Sequence, residues 1–167
     1  MTSYEVTGVD LTRFGLPYVV YNNIRSRSVE ELLPSVGSGL AILYETRPHD
    51  GHWVLALRSG PKKIEWFDSY GYCPDCELEN PAAAFSAQAG PRLEPLLQDW
   101  LDRGYTVEYL GDQLQPITSQ TCGRYVLLRW LGRRMSLKRF LKVSGFSHDL
   151  DANDEQAVRL SNPYLRR

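Results

Sequence analysis

The stretch HWVLALRSGPKKIEWFDSY, residues 52–70, carries two apolar runs separated by a Gly-Pro pair, the composition of two strands and a tight turn. If the runs pair antiparallel about a turn centred on Gly60, His52 lies directly opposite Asp68 at the open end of the hairpin. Side chains opposite each other on one face are about 4.5–5.5 Å apart at Cβ, so this register sets a carboxylate beside an imidazole. A slip of one residue would send them to opposite faces. Val54, Ala56, Ile64 and Trp66 share the face of His52, while Trp53, Leu55, Leu57 and Phe67 line the other. Both faces are apolar, which predicts strands covered on two sides.

Outward from the hairpin, GLAILYET (39–46) reads as a buried strand before the RPHDG turn, and PYVVYNNI (17–24) as a shorter one. VEELLPSV (29–36) reads as a short helix ended by Gly37, and residues 91–105 as a helix with leucines and Trp100 on one side. TVEYL (106–110) reads as a strand, GDQLQPITSQ (111–120) as a loop, and 122–142 as helix broken near Gly132. Residues 73–91 read as loop or weak helix, and the polar tail past Ser144 as irregular. Strands gathered early with helices later predict an α+β fold.

At 167 residues, with 43% apolar and 23% charged residues, the chain has the size and composition of one globular domain, residues 1–167. The net charge of −1 gives no general argument for nucleic acid. The basic run RWLGRRMSLKRFLK, 129–142, reads as a solvated helix face interleaved with core residues. MTSYEVTGVD has no charged-then-apolar leader, and no window approaches the roughly 18 apolar residues of a membrane span. A soluble, intracellular chain is expected, with its three cysteines as free thiols in a reducing compartment.

Cys122 stands where the polar loop SQT meets the apolar run YVLLRW. Packing as a small hydrophobe is the ordinary fate of such a residue. A helix start, however, offers unpaired N–H groups, and an imidazolium beside it turns a weak thiol into a standing thiolate. His52 supplies that base, and Asp68 would fix its tautomer. Gly123 leaves room for a substrate backbone beside the thiol. An oxyanion needs a backbone N–H and a side-chain amide, for which Gln113, Gln115 and Gln120 are all candidates by spacing.

The order GHW, FDSYG, a glutamine, then TCG resembles the family of adenain, the adenovirus cysteine protease, and its relatives the SUMO-specific proteases, over residues 38–131. ILYE, GHWVLAL and FDSYG with its following PD are most similar to the virion-maturation proteases of large DNA viruses and virus-like transposons. The resemblance implies a papain-like cysteine protease architecture, with a central mixed or antiparallel sheet and the nucleophile at the N-terminus of a core helix. It implies His52 as base, Asp68 as orienting acid, Cys122 as nucleophile, Gln115 as oxyanion donor, and Trp53 as the aromatic covering the substrate's narrow C-terminal glycines. No cofactor and no metal are implied. The partners implied are protein or peptide substrates, either viral precursor polyproteins or ubiquitin-like modifiers, in virion or host cell and away from membranes. In adenain a short viral peptide, joined through a disulfide, and DNA are activators; no feature of this sequence indicates that either is retained. Thr121 replaces the aspartate that SUMO proteases carry before the cysteine, and the chain has no Gly-Gly pair.

Cys73-Pro74-Asp75-Cys76 could be half a zinc site or a redox pair, but only His49 and His148 remain to complete four ligands, so two loop thiols are expected. Three functions compete: an endopeptidase acting on viral structural precursors, a processing enzyme for ubiquitin-like modifiers, and a binding module in which Cys122, His52 and Asp68 meet by accident.

Overall fold

The computed structural model describes residues 5–25 and 28–165. Five strands, β1 (Tyr18–Val20), β2 (Gly39–Arg47), β3 (Asp50–Gly60), β4 (Lys63–Phe67) and β5 (Thr106–Tyr109), lie side by side in chain order. The inner three are antiparallel, whereas β1 joins β2 and β5 joins β4 in parallel, giving the mixed sheet of an α+β fold.

The decisive hairpin forms with a different register. Leu55 pairs with Phe67, Ala56 with Trp66 and Arg58 with Ile64, two residues away from the pairing expected. The reason lies at the turn: Gly60 is itself paired, with Lys63, so Pro61 and Lys62 make the bend. Proline's fixed φ suits the first central position of such a turn. Because the offset is two, facing is preserved and every side chain stays on its expected side.

Both sides of the sheet are covered. One face carries Leu43, Trp53, Leu55, Leu57 and Phe67 beneath α5 (Cys122–Leu131), with α1 (Gly8–Arg13), α6 (Leu137–Ser144) and α7 (Leu150–Leu165) completing that layer. The other carries Ile42, Tyr44, Val54, Ala56, Ile64 and Trp66 beneath α2 (Val29–Leu32), α3 (Ala84–Ala87), α4 (Glu94–Asp102) and short 3-10 turns at Cys76–Glu79 and Pro81–Ala83. α2 is shorter than expected, since the residue preceding Pro34 is driven out of helical geometry and Leu33 has ψ 78. From Cys122 to Trp130, α5 is buried all round, clamped between the sheet and α7.

The tail is not irregular: α7 spans 16 residues. Asp149 caps it from just outside, its Oδ1 accepting from Ala152 N at 3.0 Å. The buried positions of α7 are Asn153, Ala157, Ser161 and Leu165, spaced by four, so the inward stripe is made mostly of small and polar residues. The basic run divides: Lys138, Arg139 and Lys142 are exposed, but Arg129 is buried against Glu65 with contacts of 2.7 and 2.9 Å. Among the described residues no helix is long and apolar enough to cross a membrane. The opening of the segment read for a leader, 1–4, lies outside the described residues.

Candidate active site

His52 enters from the start of β3, where that strand runs on beyond β4. The residue before it must be glycine, since a Cβ on Gly51 would sit 1.9 Å from the Tyr44 carbonyl oxygen. In the observed register Asp68 is the diagonal neighbour of His52, still within reach across the strands. His52 Nε2 and Asp68 Oδ1 are 2.7 Å apart with both side chains buried. The turn after β4 holds the carboxylate in place: Tyr70 N donates to Asp68 Oδ1 at 2.8 Å, and Gly71 N to Asp68 O at 2.8 Å. Gly71 has φ +81 and lies against the backbone of Asp112, so FDSYG needs its glycine for conformation and for space.

Tyr70, in the turn after β4, stacks its ring on the imidazole at a centroid distance of 3.9 Å and 11° between planes. Tyr70 OH donates to Ile117 O at 3.2 Å, tying this lid to the loop before α5. Burial opposes charge on His52, but the Asp68 carboxylate, and then contact with Cys122, outweigh it and hold the imidazole protonated well above its usual range. Burial likewise opposes charge on Asp68, yet His52, the neighbouring Glu77 and the Tyr70 N–H keep its carboxyl below the usual range. His52 Nδ1 is buried without a hydrogen-bond partner, and Cys122 is among the groups that favour the charged imidazole.

Cys122 is the first residue of α5, and no side chain caps that helix. Its first N–H groups are therefore free of side-chain competition beside the sulfur. Trp53, adjacent to His52 in sequence but facing the other side of the sheet, reaches the same place from below. Its ring meets Tyr18 edge-on at 5.7 Å. A Cβ on Gly123 would be 2.7 Å from Val6 Cβ and 3.3 Å from Trp53 Cδ1. The close approach at Gly123 is thus made by Val6 and Trp53 of this chain, where room for a substrate backbone was expected. His52, Trp53, Tyr70, Cys122 and Gly123 all line one groove of about 580 Å³.

Gln115 is fully buried and does not line that groove. Ser69 Oγ donates to its Oε1 at 2.5 Å, and its Nε2 donates to Ser119 O (3.1 Å) and Ser119 Oγ (2.9 Å). Gln113 is exposed and donates to Gln115 O at 2.8 Å, whereas exposed Gln120 is on the groove wall. Two further side chains, invisible to motif reading, tie the site together. Asp154 of α7 accepts from Thr121 Oγ1 at 2.7 Å and from Tyr125 OH at 2.9 Å, bracing the start of α5. Glu77, from the 3-10 turn at Cys76–Glu79, is fully buried beside Asp68.

Cys73 and Cys76 are joined as a disulfide, not kept as two thiols. The intervening turn accounts for their meeting: Cys76 N donates to Cys73 O at 3.1 Å, and Asp75 takes a left-handed φ of 60°. Asp75 is held there by its carboxylate, which accepts from Tyr21 OH (2.7 Å), Leu93 N (2.9 Å) and Glu94 N (2.7 Å). Among the described residues His52, Asp68 and Glu77 are the group with three metal-capable atoms together, within 4.8 Å of one another. The His52 nitrogen turned toward that cluster is already engaged with Asp68.

Comparison with known proteins bears on the fold first. The structure is similar to the crystal structure of ASFV pS273R protease, with a TM-score of 0.57 and 17% identity, covering 99% of this chain and 68% of that one. No protein-family model matches the sequence. In sequence the chain is 30% identical over 128 residues to uncharacterized protein V9 of Sputnik virophage, covering 74% of this chain and 72% of that protein. The chain belongs to the family of that virophage protein.

Proposed function

We propose that the protein is a cysteine peptidase, with Cys122 as nucleophile, His52 as its base and Asp68 as the orienting acid. The observation that carries this reading is a buried imidazole held on a carboxylate, with its other nitrogen unpartnered, lining the same open groove as a thiol at a helix start. Likeness in fold to a viral protease supports it. In the reaction, the Cys122 sulfur attacks the scissile carbonyl and His52 gives its proton to the departing amine. Water, deprotonated by His52, then releases the acyl group from the thioester. The Cys122 N–H at the uncapped helix start receives the oxyanion. Gln115 is the side-chain donor in this reading, and it serves by transferring one of the two N–H bonds it now gives to Ser119. Trp53 supplies apolar surface to the groove, and Gly123 lines it beside the thiol.

The substrates proposed are structural precursor proteins of a virus or virus-like element, in keeping with the viral sources of both relatives. The test is a cleavage panel of candidate precursors and ubiquitin-like fusions, read by product mass. Precursor cutting that disappears in Cys122→Ala, while circular dichroism stays unchanged, is the expected result. Release of a reporter from the modifier fusions alone moves the substrate to ubiquitin-like proteins. Absence of all cutting, with a thiol electrophile labelling Cys122 no faster in wild type than in His52→Ala, overturns the peptidase reading.

A further inference from the structure

Asp68 has two carboxylate oxygens, and only one is accounted for. Oδ1 receives His52 Nε2 and Tyr70 N. Oδ2 is buried with no ordinary donor, and both Glu77 oxygens, equally buried, have none either. Glu77 is 0% exposed, and among the described residues it forms no ion pair with Lys or Arg. Two carboxyl groups pressed together with no cation between them are stable when they share one proton, so that one donates to the other.

We propose that Glu77 is a positioning residue of the site: as a neutral carboxylic acid it donates a hydrogen bond to Asp68, fixing the carboxylate that in turn orients His52. This rests on the peptidase reading above. Asp68 is the partner that stays ionised, because it faces His52, and Glu77 is the partner that keeps the proton. Burial first, then the neighbouring Asp68, push the Glu77 carboxyl up to about 9. The titratable groups around it come from every element packed on it: Asp68 after β4, His52 on β3, Cys122 on α5, Tyr44 on β2, and Tyr70. Of these only His52 bears positive charge, and Asp68 is nearer to it. The arrangement is held from outside by Asp75, whose carboxylate pins the turn that presents Glu77 to Tyr21 and to the start of α4.

Glu77→Gln keeps a donor toward Asp68 without a titratable proton, and Glu77→Ala removes it. The unmodified chain should show an infrared carboxylic-acid C=O band at neutral pH that both variants lose. Iodoacetamide labelling of Cys122, followed by peptide mass, needs no substrate. Glu77→Gln should label within about twofold of wild type and Glu77→Ala about ten- to a hundredfold more slowly, the usual loss when a supporting hydrogen bond is removed. Where cleavage is measured, Glu77→Ala should lower kcat and leave KM unchanged. A carboxyl raised in the folded state costs stability as pH climbs from its unfolded value near 4.5 to about 9, so wild type should lose more stability over that interval than Glu77→Gln, most plainly below about pH 6.5, where the raised His52 does not yet add a slope of its own. An absent acid band, an unchanged pH slope in Glu77→Gln, or Glu77→Ala labelling at the wild-type rate overturns the proposal. If Glu77→Ala does not fold, the band and the Glu77→Gln slope decide. Cys122-dependent cleavage by wild type is scored separately, so failure of the peptidase reading is not confused with failure of this one.

Discussion

His52 shows how single residues divide the work. Its Nε2 is committed to Asp68 and its face to Tyr70, while Nδ1 is buried without a partner, so loss of either contact has a distinct signature. Asp68→Asn should lower kcat by up to about 10⁴, the loss seen when an orienting aspartate becomes an amide, and His52→Ala by at least as much. The same variant has a stability signature. A depressed carboxyl contributes above its unfolded value of about 3.9 and loses that contribution as pH falls through the folded one. The raised imidazole contributes below about 6.5 and loses it as pH rises through its folded value. The deficit of Asp68→Asn in urea unfolding should therefore be greatest between roughly pH 4 and 6.5 and shrink toward acid. Gln115 poses a sharper question, because its amide is already spent. If it donates to the oxyanion, Gln115→Ala should lower kcat by about 10²–10³ while Gln120→Ala leaves it near wild type. The reverse pattern in steady-state kinetics transfers the role to Gln120. The meeting of His52 with Asp68 was legible in the sequence because strand parity puts both on one face of the hairpin. Tyr70 and Glu77 were not, since an aromatic after a strand and an acid in a loop ordinarily mean nothing beyond turn and solvent.

Among the elements, the hairpin and the last helix are unequally legible in the sequence. Alternation along β3 and β4 survived a wrong turn centre because parity, not exact pairing, decides which face a side chain takes. Had the error been one residue, His52 and Asp68 would have been parted. α7 escaped because the sequence signal for a helix is an apolar stripe, and its stripe is Asn153, Ala157 and Ser161, chosen to let α5 approach closely. Asn153 Nδ2 donates to Leu114 O at 3.1 Å, and Asp154 receives Thr121 and Tyr125, so α7 fastens both the 111–120 loop and the start of α5. Asp154→Ala should leave the Thr121 and Tyr125 hydroxyls without that acceptor and cost about 1–3 kcal/mol in urea denaturation. Because those hydroxyls flank Cys122, its labelling should also slow in the folded variant. Unchanged labelling would make Asp154 a stabilising contact only.

Over the whole molecule, the site exists because a sheet covered on both sides ends where the two layers can meet. Cys122 belongs to the layer beneath α5, whereas His52 and Asp68 point to the layer that contains Glu77, and they come together past the end of β4. That meeting requires α5 to be fixed against the sheet along its length. Apolar packing alone would let the helix slide, but Arg129, one end of α5 away from Cys122, is forked onto Glu65 of β4 and also donates to Gly132 O and Met135 O, each at 2.9 Å. Both charges are almost completely buried, at 1% and 3% side-chain exposure, so neither tolerates loss of the other. Arg129→Met should destabilise the fold by about 3–5 kcal/mol, since Glu65 is left charged in an apolar layer. Adding Glu65→Leu should recover part of this and not all, because the Gly132 and Met135 carbonyls stay without their donor. The measurement is a double-mutant cycle in urea, with Cys122 labelling followed in parallel. If the pin also sets the position of the helix, the double variant should regain stability faster than it regains thiol reactivity. Recovery of both in step would mean that packing around Trp53 and Val126 is enough to seat α5.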